Sequence, residues 1–396
     1  MLTPKTIEIV KSTAPILAQT GPSLTEYFYE RLFAHYPELQ NIFNMSNQTN
    51  NAQREALFNA VYGYAANIDN IEALLPVVEK IANKHASFNI TPEMYDIVGE
   101  TLLATIDELL SPGQEVLDAW AEAYGFLASV FISREEDIYQ EKENAEGGWR
   151  GKRAFTVIKK EKQSDLITSF TFAPVDGKPV TAFKPGQYIG ITIATPDLEF
   201  QEIRQYSLAA AHSPEHYRIA VKRENDGKVS NYLHDNVNVG DTVELTPPHG
   251  DFFFNSPATT PVTLISAGVG LTPTLSMLET LSGNHKAEIN WLHAAEHSGL
   301  HAFAEQTKQL TKQHGEGEHN IWYNTPLLDD LPGEDFDYLG FMDLSRVSHI
   351  TKDPEQHYYM CGPVGFMQSI ASQLTKVGVK AENIHYECFG PHKVLS

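Results

Sequence analysis

The sequence predicts a multidomain chain of three successive architectures: an all-α domain, a small antiparallel β-barrel and a doubly wound α/β domain. Three observations predict it. The 396 residues are too many for one hydrophobic core. The first 140 residues carry helical stripes and almost no strand signal. After "AEGGWRGKR" (145–153) apolar residues alternate, and from Pro261 apolar strands alternate with helical stretches. The expected domains are 1–140, 150–256 and 260–396.

The helical stripes fall at 3–20, 22–36, 50–66, 71–88, 92–110 and 112–140. Pro22, Pro92 and Pro112 stand where proline is tolerated, in the first turn of a new helix, and Thr91 and Ser111 are candidate N-caps. In the middle third, "AFTVIKK", "LITSFTF", "YIGITI", "RQYSLAA", "YRIAVKR" and "TVELTP" are short strands separated by Gly, Pro and Asp turns, the pattern of a barrel. In the last third, "PVTLIS", "EINWLHA", "NIWYN", "HYYMC" and "NIHYECF" are the strands of a parallel sheet.

Composition narrows the function. A hydrophobic content of 42% and a charged content of 20% describe an ordinary globular chain. The formal charge of −22 argues against nucleic acid or an anionic membrane as partner, because both require a basic face. The N-terminus lacks the basic start and apolar run of a signal peptide, and no stretch reads as a bilayer span. The two cysteines, Cys361 and Cys388, exclude a disulfide scaffold, a four-thiolate iron–sulfur cluster, a structural zinc site and a CxxCH haem attachment. The expected setting is the cytoplasm, and no obligatory protein partner is evident.

Five short stretches carry chemistry. Leu74, Val78, Ile81 and His85 form one helical stripe in which a histidine stands where Leu or Ile is expected. A hydrogen-bonded core histidine and a metal ligand both explain it. "LISAGVGLTP" places Gly268, Gly270, Thr272 and Pro273 between a strand and its helix, where glycines let backbone approach a pyrophosphate. Pro273 replaces the third glycine of the dinucleotide fingerprint. In "RQYS" (204–207), Arg204 and Tyr206 share one strand face and Ser207 takes the other. A guanidinium suits phosphate, a phenol ring can cover an aromatic cofactor and a hydroxyl can bond a ring nitrogen, although an ordinary surface strand would also contain these types. "PGQYIGI", with Tyr188, precedes this strand, and "CGP" (361–363) ends a later one.

In this order, these residues resemble the ferredoxin–NADP reductase superfamily over 150–396. The resemblance implies FAD held by Tyr188, Arg204, Gln205, Tyr206 and Ser207, with Cys388, Phe389, Gly390 and Pro391 closing over it. It implies NAD(P)H at Gly268, Val269, Gly270, Leu271, Thr272 and Pro273 and at Cys361, Gly362 and Pro363. A helical domain before such a reductase, with one stripe histidine, looks like a globin. The whole-chain order, together with "QREALFNA", "PGQEVLDAW", "CGPVGFMQ" and "IHYECFGPHKVL", resembles the bacterial flavohaemoglobins.

That resemblance implies a b-type haem ligated by His85, with Tyr29 and Gln53 as distal donors, Phe43 and Leu57 lining the pocket, and Lys84 beside the ligand. It gives Tyr95 and Glu135 second positions behind His85. Glu135 follows Ala128 by seven and Phe131 by four, which suits a buried stripe, while its neighbours "SREED" equally suit an exposed helix-end acid. The implied activity is nitric oxide dioxygenase: hydride from NAD(P)H to FAD, single electrons onward to haem, and oxidation of nitric oxide by dioxygen to nitrate. A gas sensor or oxygen store with its own reductase, and a plain NAD(P)H:flavin oxidoreductase, are the alternatives. Glu296 in "LHAAE", with no arginine nearby, leans the nucleotide toward NADH.

Overall fold

The computed structural model of the chain describes residues 2–43, 52–195, 198–351 and 353–390. They fall into two compact units. One comprises 1–145, 149–151 and 192–204, and the other comprises 146–148, 152–191 and 205–396.

Six α-helices of the first unit follow the sequence stripes: α1 (Pro4–Thr20), α2 (Ser23–His35), α3 (Ala52–Asn67), α4 (Leu75–Phe88), α5 (Pro92–Leu110) and α6 (Gln114–Asn144). Three boundaries differ from expectation. The last helix starts at Gln114 with Gly113 as its N-cap, so Pro112 stays outside it, and Ser111 is the left-handed C-cap of α5, not an N-cap. The stripe at 71–88 is divided into a 3-10 turn over Ile71–Leu74 and then α4, because Pro76 is tolerated only in a first helical turn. The last helix runs on to Asn144, where "AEGG" ends it.

One apolar core gathers Val10, Leu17, Phe28, Leu32, Leu102, Ile106 and Trp120. A second gathers Val78, Ala82, Ala86, Tyr95, Ala128, Phe131, Ile138 and Tyr139. Against the expectation that no stretch reaches spanning length, α6 is long and apolar enough to cross a membrane by length and composition. Along it Ala119, Trp120, Ala123, Ala128 and Phe131 are buried in these two cores. Gly99 marks its close approach to α5, since a Cβ there would lie 2.5 Å from the Tyr124 ring.

The middle strands are β1 (Arg153–Lys162), β2 (Ile167–Pro174), β3 (Tyr188–Ile193), β4 (Glu202–Ser207), β5 (Tyr217–Lys222) and β6 (Thr242–Leu245), with α7 (Lys228–Asp235) between the last two. They form one sheet in the order β4-β3-β6-β1-β2-β5. The β1–β2, β1–β6 and β2–β5 pairs are antiparallel. An isolated antiparallel bridge joins Leu208, just beyond β4, to Ile219 of β5.

The remaining strands are β7 (Val262–Ala267), β8 (Ile289–Ala295), β9 (His319–Tyr323), β10 (Tyr338–Leu339), β11 (His357–Cys361) and β12 (Ile384–Glu387). They form a parallel sheet in the order β10-β9-β8-β7-β11-β12. Helices α8 (Leu271–Leu281), α9 (Ala304–His314) and α10 (Val364–Lys376) connect them. Alternation along each strand supplies two cores. Leu264, Trp291, Ile321 and Tyr359 face α8, while Ile265, Leu292, Trp322 and Met360 join Ile370 and Leu374 of α10. After β10 the chain crosses back to the other side of β7, so the order reverses between β7 and β11. Open α/β sheets bind ligands at such a switch point.

Candidate functional site

His85 lies in the last turn of α4 with its side chain 34% exposed. Its ring is held from one side only. Nδ1 lies 2.8 Å from Glu135 Oε1 and 2.9 Å from the Tyr95 hydroxyl, which itself donates to the same carboxylate oxygen. Burial, and then the Glu135 charge, push the Tyr95 phenol far above its ordinary value, so it stays a proton donor. Glu135 is only 2% exposed, which removes the reading of it as a surface acid of "SREED". Its positions four and seven after Phe131 and Ala128 place it on the buried stripe of α6, as that spacing allows. A buried carboxylate requires such partners, and a hydrogen bond from Nδ1–H fixes the imidazole tautomer with Nε2 as the free lone pair.

Among the described residues, no hydrogen bond engages His85 Nε2. The rings of Tyr95 and Phe131 flank the imidazole at centroid distances of 6.0 and 5.8 Å. A half-buried imidazole, oriented from behind and open at the other nitrogen, fits a haem ligand.

On the other core, Tyr29 (4% exposed) meets Phe33 at 5.8 Å and Phe43 at 5.6 Å between centroids, and Leu57 packs on the same cluster. Gln53 Oε1 is buried with no hydrogen-bond partner among the described residues. Lys84 is half-buried beside His85, and its carbonyl accepts from Ser87 Oγ at 2.7 Å. Thus Tyr29, Phe43 and Leu57 share one core, and His85, Tyr95 and Glu135 another.

In the antiparallel sheet, β4 with Arg204, Gln205, Tyr206 and Ser207 lies directly beside β3, which begins at Tyr188. Arg204 is not a bare cation. Its guanidinium meets Glu202 Oε2 at 2.8 Å and donates to the Ile203 carbonyl at 2.9 Å. A five-donor fork can hold a carboxylate and still present donors to a phosphate. Sequence reasoning missed Glu202, Gln187 and Gly250. Gln187 accepts from Lys184 N–H at 2.9 Å and donates to the Gly250 carbonyl at 3.1 Å. Gly250, at φ +113°, leaves the room that the Tyr188 ring occupies, since a Cβ would sit 2.9 Å from that ring. The glycine after the apolar-flanked histidine in "PPHGDFFF" was the available signal. Cys388 is buried, Phe389 is 48% exposed, and Gly390 follows at φ +106°. Pro391 lies outside the described residues.

The two nucleotide turns meet. Gly268 (φ +53°), Val269 and Gly270 form a 3-10 turn at the end of β7, with Leu271, Thr272 and Pro273 opening α8. Cys361, Gly362 and Pro363 end β11 on the same edge of the parallel sheet. A Cβ on Gly270 would lie 2.3 Å from the Cys361 carbonyl oxygen and 2.6 Å from Gly362 N. Only glycine permits this approach, so the predicted turns are one structure at the switch point between β7 and β11. Thr272 Oγ1 bonds the Val269 carbonyl at 3.0 Å, and burial pushes the Cys361 thiol well up, making it an inert core group.

A globin family profile matches residues 26–131, an oxidoreductase FAD-binding domain 154–254, and an oxidoreductase NAD-binding domain 264–372. The flavohemoglobin of Malassezia yamatoensis, solved with bound FAD and heme, is similar over 98% of this chain and 100% of its own, at 25% identity and a TM-score of 0.86. The flavohem-like FAD/NAD-binding domain of nitric oxide dioxygenase from Vibrio cholerae is 43% identical over 60% of this chain and 99% of its own, with a TM-score of 0.56. The chain belongs to the flavohaemoglobin family. The cytochrome b5 reductase domain of Ulva prolifera nitrate reductase shares the fold over 60% of this chain and 97% of its own, at 22% identity and a TM-score of 0.52. The chain is therefore an oxidoreductase with a globin domain followed by FAD- and NAD-binding domains, and its cofactor classes are haem, FAD and pyridine nucleotide.

Proposed function

We propose that this flavohaemoglobin is an NAD(P)H-dependent nitric oxide dioxygenase, turning nitric oxide and dioxygen into nitrate. The observation that carries the reading is the 2.8 Å contact between His85 Nδ1 and buried Glu135. A carboxylate behind an axial imidazole raises its basicity and donates electron density to iron, which oxygen activation uses and oxygen storage does not need. The 43% identity to a domain of a nitric oxide dioxygenase supports the same reading.

When bound, pyridine nucleotide supplies the hydride, FAD divides it into single electrons and haem supplies dioxygen chemistry. The residues do the rest. His85 would hold the iron, Glu135 and Tyr95 would orient its ring, and Phe43, Leu57 and Lys84 would border the haem. Tyr29 and Gln53 would supply hydrogen-bond donors to a gas in that pocket. Arg204, Gln205, Tyr206, Ser207 and Tyr188 hold the flavin, with Cys388, Phe389, Gly390 and Pro391 at its nicotinamide face. The paired turns at 268–273 and 361–363 hold the nucleotide. We divide the chain accordingly at 1–140, 150–256 and 260–396. Glu296 stands exposed at the end of β8, its carboxylate accepting from Asn324 and Thr325 at 3.0 Å, and suits a ribose hydroxyl, hence NADH. A chain with only two cysteines, both buried, suits a reducing cytoplasm.

The decisive assay follows nitric oxide amperometrically in air with the purified protein and NADH. Rapid loss with nitrate formed is expected. A Soret-active protein that leaves nitric oxide untouched while oxidising NADH would return the reading to a gas sensor or store.

A further inference from the structure

Arg150 lies in the short link between α6 and β1, outside every motif considered so far. Its guanidinium grips Glu136 with two hydrogen bonds, Nη1 to Oε1 at 2.9 Å and Nη2 to Oε2 at 2.7 Å. It also lies over the Tyr139 ring, 4.5 Å from the centroid. Bidentate pairing and stacking together give one side chain a defined place, which an isolated surface ion pair lacks.

Both partners lead to His85. Glu136 adjoins Glu135, whose Oε1 holds the imidazole Nδ1. Tyr139 is buried, and its hydroxyl donates to the Ile90 carbonyl at 2.9 Å. The Ile90 N–H in turn donates to the His85 carbonyl at 3.3 Å, ending α4. One guanidinium thus bears on the ring of His85 through α6 and on its backbone through the turn at 89–90. A cavity of about 330 Å³ opens between these two routes, lined by Ile90, Ile132, Glu135, Tyr139 and Arg150 among others. Arg150 and Glu136 form part of its wall, beside the α6 turn that carries Glu135.

We propose that Arg150 is a positioning residue for the His85 imidazole, acting through the α6 turn that carries Glu135 and through the Tyr139–Ile90 contact. This rests on the reading of His85 as haem ligand.

The test is resonance Raman spectroscopy of the full-length ferrous holoprotein, following the iron–histidine stretching band, with the haem midpoint potential measured alongside. Arg150→Ala should move the band to lower frequency and raise the potential, in the same direction as Glu135→Gln and by less. Glu136→Gln should follow Arg150→Ala. Arg150→Lys, which keeps the charge but loses the bidentate fork, should recover part of the shift. Lys5→Ala, which removes an exposed ion pair to Glu115, should leave both readouts at the parent values. If Arg150→Ala and Glu136→Gln match the parent while Glu135→Gln is displaced, the proposal is overturned. If the parent shows no iron–histidine band, the haem reading fails first and the role of Arg150 with it.

Discussion

The His85 cluster in one compact unit and the His293–His301 cluster in the other differ in what surrounds them. In the reductase unit, His293 and His301 stack at 4.8 Å between centroids. His293 Nδ1 meets Ser266 Oγ at 2.8 Å and His301 Nδ1 meets the Tyr323 hydroxyl at 3.0 Å, while both Nε2 atoms are buried without hydrogen-bond partners among the described residues. Burial drives His293 well below the ordinary imidazole value and His301 down to about 3. These rings are sealed, neutral and paired with hydroxyls. The ring of His85 is half-open and paired with a carboxylate. The difference teaches that burial alone does not make a histidine a ligand. In the proposed reading, a carboxylate at one nitrogen and an opening at the other do.

The largest expected effect breaks the comparison at its strong end. His85→Ala should lose or scramble haem while FAD stays bound, because the two cofactors occupy separate domains. His301→Gln should leave the haem spectrum untouched. Absorption spectra of the purified variants decide it, and a normal five-coordinate histidine-ligated spectrum in His85→Ala would remove His85 from the iron.

Acid should separate the clusters next. The folded pKa of His301 lies below its unfolded value, so its contribution to stability is fully present above about pH 6.5 and is lost as pH falls toward 3. The unfolded chain binds the proton first, so the sign is destabilising on acidification. At pH 4.5 the loss is about 2–3 kcal/mol. His293 adds to it in the same direction, as does His319, lowered to about 4 by burial. Hydrogen exchange of the β8 amides at pH 7 and pH 4.5 reads this locally. The parent should lose about that much more opening free energy than His301→Gln. An equal loss in both would mean the ring titrates normally.

Most of the architecture was legible because period carries it. The helical stripes became α1 to α6, and the alternating and continuous apolar strands became two separate sheets. Pairing across distance was not legible. Nothing in "RQYS" indicates that Arg204 would already hold Glu202, two residues away on the same strand. Glu135 had two equally good readings until the fold placed α6 against α4, since amphipathic spacing allows burial without requiring it. The glycine pair of "GVGLTP" suggested a backbone approach to phosphate. Its contact with Cys361 and Gly362 depends on β7 and β11 lying side by side, which the sequence order, with three strands intervening, conceals. Arg150 carried no signal, because its partners Glu136 and Tyr139 lie back along α6 and period does not report pairing across the turn that separates them.

The smallest expected effect sharpens the comparison from the distal side. Tyr29 is buried among Phe28, Phe33 and Phe43, so its ring would be held by packing whatever the hydroxyl does. Tyr29→Phe keeps that ring volume and removes only the donor, and packing should barely change. One hydrogen bond to a bound ligand contributes on the order of 1–2 kcal/mol, or about tenfold in release. Dioxygen should therefore dissociate faster by about that factor, nitric oxide turnover should fall at limiting dioxygen, and reduction of haem through FAD should proceed at the parent rate. Stopped-flow measurement of dioxygen release checks it. An unaltered off-rate would make Tyr29 a core residue whose hydroxyl serves the protein, which would place it with His293 and His301 and leave the distal donation to Gln53.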